Sequence, residues 1–146
     1  YTLFAYGIIK LFHLQFPEPG LSRLFNTYGQ SSPMRLVWTF MGTSATYTIF
    51  AGASETSAAI LLLFRRTRTV GALVAFGVMF NVFMLNMSYD IPVKLFSFQL
   101  VVISIYIAAR HWRRLYAFFL TEEAVPAVAK RPLVSSKRGW WVLLAF

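Results

Sequence analysis

Residues 69–89, TVGALVAFGVMFNVFMLNMSY, decide the fold class, because this stretch contains no charged side chain. At a rise of about 1.5 Å per residue, a helix of this length extends for about 31 Å. The hydrocarbon core of a bilayer is roughly 30 Å thick. The stretch therefore predicts a helix that spans a membrane.

Three further apolar runs lie on either side of this stretch. They are residues 1–12, residues 36–64 with Glu55 as the single charge, and residues 91–109 with Lys94 near the start. The run at 36–64 would form one helix of about 43 Å, more than a bilayer core needs, so it should tilt or project beyond the bilayer. Its start is predicted at Ser32-Pro33, an N-cap followed by a proline in the first turn. Together the runs predict an all-α protein, an integral membrane four-helix bundle.

The composition agrees with a lipid environment. Hydrophobic residues make up 58% of the chain and charged residues only 13%, whereas soluble domains carry about a quarter charged residues. The net charge of +9 could suggest nucleic-acid binding, but the basic residues stand at the ends of apolar runs, so no nucleic-acid partner is expected. Cysteine is absent, which excludes disulfides, thiolate metal sites and dithiol redox chemistry.

The basic residues also predict an orientation. Of the fourteen, ten follow the second run, follow the fourth run or lie in the tail: Arg65, Arg66, Arg68, Arg110, Arg113, Arg114, Lys130, Arg131, Lys137 and Arg138. By the positive-inside rule, residues 65–68 and 110–138 would be cytoplasmic in a multi-pass protein of the inner (cytoplasmic) membrane. The loops 13–35 and 87–93 would face outward. Within the first loop, Leu21, Leu24, Phe25 and Tyr28 have helical spacing and predict an amphipathic segment at the interface.

The sequence divides into three predicted parts. Residues 1–120 would form the four-helix bundle, residues 121–138 a cytoplasmic linker, and residues 139–146 the start of an additional transmembrane helix. The pair Trp140-Trp141 is typical of an interfacial anchor. Since the chain begins and ends inside apolar stretches, we expect it to be part of a longer protein.

Glu55 is the first candidate for chemistry, because it is a carboxyl group near the middle of an apolar run with small residues around it. An acid inside a membrane should face other helices and find a polar partner. Glu55 and Lys94 should each point into the bundle, toward Asn81, Asn86, Asp90 or Lys10. A hydrogen bond to Asn81 or to a helix backbone, or simple protonation, would make Glu55 a structural anchor. A ligand-binding or proton-active acid is the functional alternative.

A second candidate lies between the third and fourth runs. Asp90 and Pro92 are predicted to cap and start the fourth helix, and Lys94 could pair with Asp90 four residues earlier. The alternative is a polar pocket at the outer membrane face that holds a quinone head group or an anion. Its residues would be Asn86, Asp90 and Lys94, with Lys10 and Gln15 added from the end of the first run.

No metal or haem is expected, since the only histidines, His13 and His111, would lie on opposite membrane faces. A quinone or a lipid remains open as a bound group. No glycine-rich phosphate loop or serine–histidine–aspartate arrangement stands out from chance.

Several motifs resemble the DoxX-like family of small membrane proteins. They are the run Phe50-Ala51-Gly52-Ala53-Ser54-Glu55, the Asp90-x-Pro92-x-Lys94 element, and Lys10 followed by Gln15-Phe16-Pro17. The similarity covers roughly residues 1–118. It implies a four-helix membrane bundle, and some members of the family are associated with quinone-linked sulfur oxidation or with membrane redox complexes.

Three functions follow as hypotheses. The first is an accessory, mainly structural subunit of a larger membrane complex of redox or electron-transfer type, with lipid and other membrane subunits as partners and no activity of its own. The second is a quinone-interacting oxidoreductase subunit. The third is a small transporter or proton pathway that uses Glu55.

Overall fold

The computed structural model describes residues 1–121, and within them the chain is entirely helical. The elements are α1 (Thr2–Leu11), α2 (Leu21–Leu24), a short 3₁₀ helix (Tyr28–Gln30), α3 (Pro33–Thr43), α4 (Ala45–Leu63), α5 (Arg68–Ser88), α6 (Lys94–Ala109) and α7 (Trp112–Leu120). The all-α prediction is confirmed for this part of the chain. The predicted linker 121–138, apart from its first residue, and the helix start at 139–146 lie outside the described residues.

The apolar run at 36–64 forms two helices, so the prediction of one long helix is wrong. The break is at Ser44, whose backbone is extended and whose hydroxyl accepts a hydrogen bond from the Tyr47 amide at 3.2 Å. The Thr48 hydroxyl donates to the Met41 carbonyl at 2.6 Å across the break. Serine and threonine side chains can replace helical backbone hydrogen bonds in this way, which is why the chain can turn inside an apolar run.

The predicted start at Ser32-Pro33 is confirmed. The Ser32 hydroxyl accepts a hydrogen bond from the Arg35 amide at 3.3 Å, and Pro33 is the first residue of α3. Proline is well suited there because it has no amide hydrogen to leave unpaired.

The predicted start of the fourth helix is wrong. Asp90 has a left-handed backbone, with φ of 52°, and the Ile91 amide donates to the Asn86 carbonyl at 3.0 Å. Asp90 thus ends α5, in the manner of a left-handed C-cap. Helix α6 begins at Lys94, after Pro92, without a side-chain cap.

Four helices pack in the order α1, α4, α5, α6. Helix α1 also comes close to α6, where the ring centroids of Tyr6 and Phe96 lie 6.2 Å apart. The contact between α1 and α4 depends on glycine. A Cβ atom added to Gly7 would lie 2.8 Å from the Gly52 carbonyl oxygen. Since backbone atoms cannot approach a Cβ so closely, only glycine permits this crossing.

Small and polar residues fill the space between these helices. The buried residues there include Ala58, Ala59, Ala72, Ala75, Ala108, Thr48, Ser97 and Ser104. Large apolar side chains are exposed instead, among them Phe4, Ile49, Phe50, Ile60, Phe80, Met84, Phe98, Ile103 and Tyr106. A cluster of larger buried side chains, Phe16, Val37, Met41 and Ile91, joins the segment after α1 to α3 and to the α5–α6 loop.

Among residues 1–121, one helix alone, Arg68–Ser88, is long and apolar enough to cross a membrane. A second such span is present only if α6 and α7 are counted together as one broken helix. From Arg113 onward, helix α7 belongs to a separate compact unit, and none of the α7 side chains is buried. The predicted amphipathic segment forms α2 and the 3₁₀ helix, with Leu21, Leu24, Phe25 and Tyr28 exposed.

Candidate binding cavity beside a buried ion pair

An ion pair joins α1 to α4 in the interior. The Lys10 ammonium donates a hydrogen bond to Oε1 of Glu55, and the two side chains are only 7% and 3% exposed. Gly52 lies one turn before Glu55, and a Cβ atom there would lie 2.9 Å from the Lys10 Cβ. The missing side chain at Gly52 is therefore what lets the two helices come close enough to pair these charges.

The second carboxyl oxygen of Glu55 is left without a partner. Oε2 is buried and accepts no hydrogen bond from any described residue. Oε1 of Gln15 is also buried and also accepts no hydrogen bond from any described residue. Buried polar atoms in proteins are nearly always paired, so an unpaired one asks for an explanation. Both atoms are acceptors, and both belong to residues that line the same cavity.

That cavity has a volume of about 360 Å³ and is bordered by α1, α3, α4, α5 and α6. Typical ligand pockets measure roughly 300–1,000 Å³ and combine apolar walls with a few polar groups. The polar lining residues include Lys10, Gln15, Ser54, Glu55, Asn81, Asn86 and Ser97. Tyr6, Phe16, Trp38, Tyr47, Phe50 and Phe96 supply aromatic walls.

Asn86 links α5 to α6 at the edge of this cavity. It is buried, and its Nδ2 donates to the Ser97 hydroxyl at 3.0 Å. The Ser97 hydroxyl in turn lies 2.9 Å from the Lys94 carbonyl oxygen, to which it donates. The Asn86 amide is thus held by the protein, so it contributes to the wall as a fixed group.

Asp90 and Lys94 lie elsewhere. Lys94 donates to Oδ1 of Asp90, the pairing that their spacing predicts, but neither residue lines the cavity. The Asp90 side chain is 82% exposed. The hydrogen bond from Lys94, together with its positive charge, lowers the pKa of the Asp90 carboxyl group.

The structure thus divides the predicted site residues into two places. Lys10, Glu55, Asn81 and Asn86 line one cavity, while the pair Asp90–Lys94 lies outside it. Glu55 points into the bundle as predicted, and its partner is Lys10, one of the four residues that the prediction named. Sequence reasoning missed Trp38 and the other lining residues of α3, because it placed them on one long helix with Glu55.

No group of three or more histidine or acidic side chains within residues 1–121 is arranged to hold a metal ion. The buried Nδ1 of His111 has no hydrogen-bond partner in this part of the chain. His111 does not line the cavity.

The fold and the site define a class: a protein that is all-α within residues 1–121, with a helix of membrane-spanning length and a buried ion pair beside a ligand-sized cavity. The chain is 30% identical over 124 residues to YwoB, an uncharacterized protein of Bacillus subtilis (strain 168). The alignment covers 84% of this chain and 77% of YwoB. The chain belongs to the same family as YwoB. No family model matches it, and no solved structure matches it.

Proposed function

We propose that this protein is a multi-pass protein of the inner (cytoplasmic) membrane, built on a DoxX-like four-helix bundle, and that it acts as an accessory subunit of a larger membrane complex. One observation carries the proposal. Large apolar side chains cover the outside of α1, α4, α5 and α6, while alanine, glycine, serine and threonine fill the space between them.

This distribution is the one that lipid favours. Between helices in a bilayer there is no hydrophobic driving force, so association depends on close packing of small residues and on interhelical hydrogen bonds. A core helix of a soluble protein would instead bury its apolar residues. Only 28% of the most apolar 18-residue stretch of α5 is buried by the rest of the protein.

The helix connections are compatible with the predicted orientation. Short links, at residues 64–67 between α4 and α5 and at 89–93 between α5 and α6, make successive helices antiparallel. The Arg65–Arg68 segment and Arg110 therefore lie at the same end of α5 and α6. Such a basic end is typical of the cytoplasmic side.

The accessory role draws on the aromatic surface. Helix α6 by itself exposes three aromatic side chains, Phe96, Phe98 and Tyr106. Aromatic residues are enriched at the centres of protein interfaces. The resemblance to DoxX-like proteins, some of which work in membrane redox complexes, points the same way.

Orientation is tested by cysteine labelling, for which the cysteine-free chain is well suited. Thr67→Cys and Ser31→Cys form a matched pair, since both positions are partly exposed. In intact cells a membrane-impermeant maleimide should label Ser31→Cys, and Thr67→Cys only after lysis. Labelling of Thr67→Cys alone would overturn the orientation, and labelling of both in intact cells would overturn the two-sided arrangement.

Assembly is tested by extraction in a mild detergent followed by native mass measurement. The expected mass is well above that of the 16.7 kDa chain, with other membrane subunits present. A homogeneous monomer that reduces a quinone by itself would refute the accessory role.

A quinone-interacting oxidoreductase subunit is the second candidate, and the cavity beside Glu55 favours it. Its test is the loss of quinone turnover by the extracted complex when Gly77→Leu, a change that fills the cavity, is introduced. Unchanged turnover would remove the cavity from that reaction.

A further inference from the structure

We infer that the cavity beside Glu55 binds a neutral apolar molecule that carries a hydroxyl group, an alcohol or a phenol, and that this hydroxyl donates a hydrogen bond to Glu55 Oε2. The inference goes beyond the accessory role, which needs no ligand. It also differs in ligand chemistry from an oxidised quinone, which has no hydroxyl group to donate.

Two buried acceptor atoms of the cavity have no donor within residues 1–121. Glu55 Oε2 and Gln15 Oε1 are buried acceptors without a partner among the described residues. The hydrogen bond from the Lys10 ammonium goes to the other carboxyl oxygen of Glu55, and that from the Asn86 amide goes to Ser97. A ligand that donates would complete this set, because an unsatisfied buried acceptor is costly.

Charge narrows the ligand class further. Lys10 and Glu55 neutralise each other as an ion pair. A cationic ligand would come close to the Lys10 ammonium, and an anionic one would place its charge against Glu55. A quinone offers carbonyl oxygens, which are acceptors and leave Oε2 unpaired. A neutral hydroxyl group meets none of these obstacles.

The walls account for the apolar body of the ligand. Trp38, Tyr47, Phe50 and Phe96 lie around the cavity together with aliphatic side chains of α5 and α6. A ring or a short hydrocarbon chain would bury its surface there without having to pair polar groups of its own.

Gly77 provides a way to close the cavity without disturbing the helices. It lines the cavity, and a Cβ atom added to it would meet nothing within 4 Å. Gly77→Leu therefore extends a side chain into open space. Gly29 is a matched control, since a Cβ atom there also meets nothing and the residue does not line the cavity.

The experiment measures binding of radiolabelled para-hexylphenol to the purified full chain in detergent, with para-hexylanisole as the comparison compound. The two differ only in a hydroxyl group and its methyl ether. We expect the phenol to bind at least about tenfold more tightly than the ether. Gly77→Leu should abolish binding of both compounds, whereas Gly29→Leu should leave both unchanged, with thermal unfolding showing that each variant is folded.

A double variant tests the role of Glu55 itself. Lys10→Met with Glu55→Met removes both charges and the carboxyl acceptor together, so neither charge is left buried and unpaired. It should still bind the ether, and its preference for the phenol should fall from about tenfold to about onefold.

Three results would overturn the inference. They are equal binding of the phenol and the ether by the unaltered chain, a persistent preference in the double variant, or tighter binding of a short-chain alkylated benzoquinone than of the phenol. None of them bears on the labelling test of membrane orientation, so the ligand and the membrane proposals fail separately.

Discussion

At the scale of single residues, the interior is organised by one ion pair. Within residues 1–121, the buried charged side chains are those of Lys10 and Glu55. They belong to α1 and α4, which are far apart in sequence. Removing one partner from such a pair leaves a buried charge without compensation. Replacing both with apolar groups of similar volume is often neutral or stabilising.

Glu55→Gln is therefore expected to destabilise the protein by about 3–5 kcal/mol. The double variant Lys10→Met/Glu55→Met should recover most of that loss, because it leaves no isolated charge. Denaturant unfolding in detergent, followed by circular dichroism, measures both values. A double variant as unstable as Glu55→Gln would show that the pair does more than neutralise Lys10.

Titration of Asp90 is expected to make the stability of the protein depend on pH. The hydrogen bond and charge of Lys94 lower the pKa of its carboxyl group in the folded protein, below the usual value of about 3.9. The stability that Asp90 contributes is thus complete above its unfolded-state pKa and is lost as pH falls through the lower folded-state value. Because the pair is exposed, the effect should be small.

Thermal unfolding between neutral pH and about pH 3 checks this expectation, since the usual pKa of the group lies in that interval. Asp90→Asn should flatten the acid side of the profile slightly, and asparagine keeps its tolerance for the left-handed backbone at this position. An Asp90→Asn profile that remained identical to that of the unaltered protein would contradict a role for the Asp90–Lys94 pair.

At the scale of elements, close helix contacts depend on where glycine lies. Gly7 and Gly52 face each other at the crossing of α1 and α4, and a Cβ atom added to Gly71 would lie 2.8 Å from the Leu62 amide nitrogen of α4. Gly77, on the same helix as Gly71, faces open space. The same residue type thus has a packing role at one position and none at another.

Gly52→Ala is expected to destabilise the protein by about 1–3 kcal/mol, as overpacking does. The added Cβ would lie 2.7 Å from the Gly7 carbonyl oxygen and 2.9 Å from the Leu11 amide nitrogen, so α1 would have to move away. Gly77→Ala is the matched control and should be neutral or stabilising by up to about 1 kcal/mol, because alanine favours a helix. Equal unfolding midpoints for the two variants would contradict the close crossing.

At the scale of the whole molecule, the proposal of a membrane location makes the exposed apolar surface a requirement. Phe80 lies near the middle of α5 and is 46% exposed. In water, lysine at such a position would be harmless. In a bilayer, a charge at the centre of a helix costs about 2.5–3.5 kcal/mol on insertion scales.

Phe80→Lys should therefore lower the fraction of chains inserted in the membrane, measured by resistance to alkaline carbonate extraction. Ser31→Lys, in the loop before α3, is the control and should insert like the unaltered protein. Normal insertion of Phe80→Lys would place the exposed face of α5 away from lipid.

The sequence alone determined that the chain is helical and that the apolar runs end near residues 12, 64, 88 and 109, because period, length and charge-free composition are local properties. It also singled out Glu55, since a lone acid in an apolar run must find a partner. Only the tertiary structure decided that the partner is Lys10, because the choice depends on the Gly7–Gly52 crossing between distant segments. The break at Ser44 and the left-handed Asp90 were also decided there. In both cases short polar side chains and tertiary contacts outweigh local helix propensity.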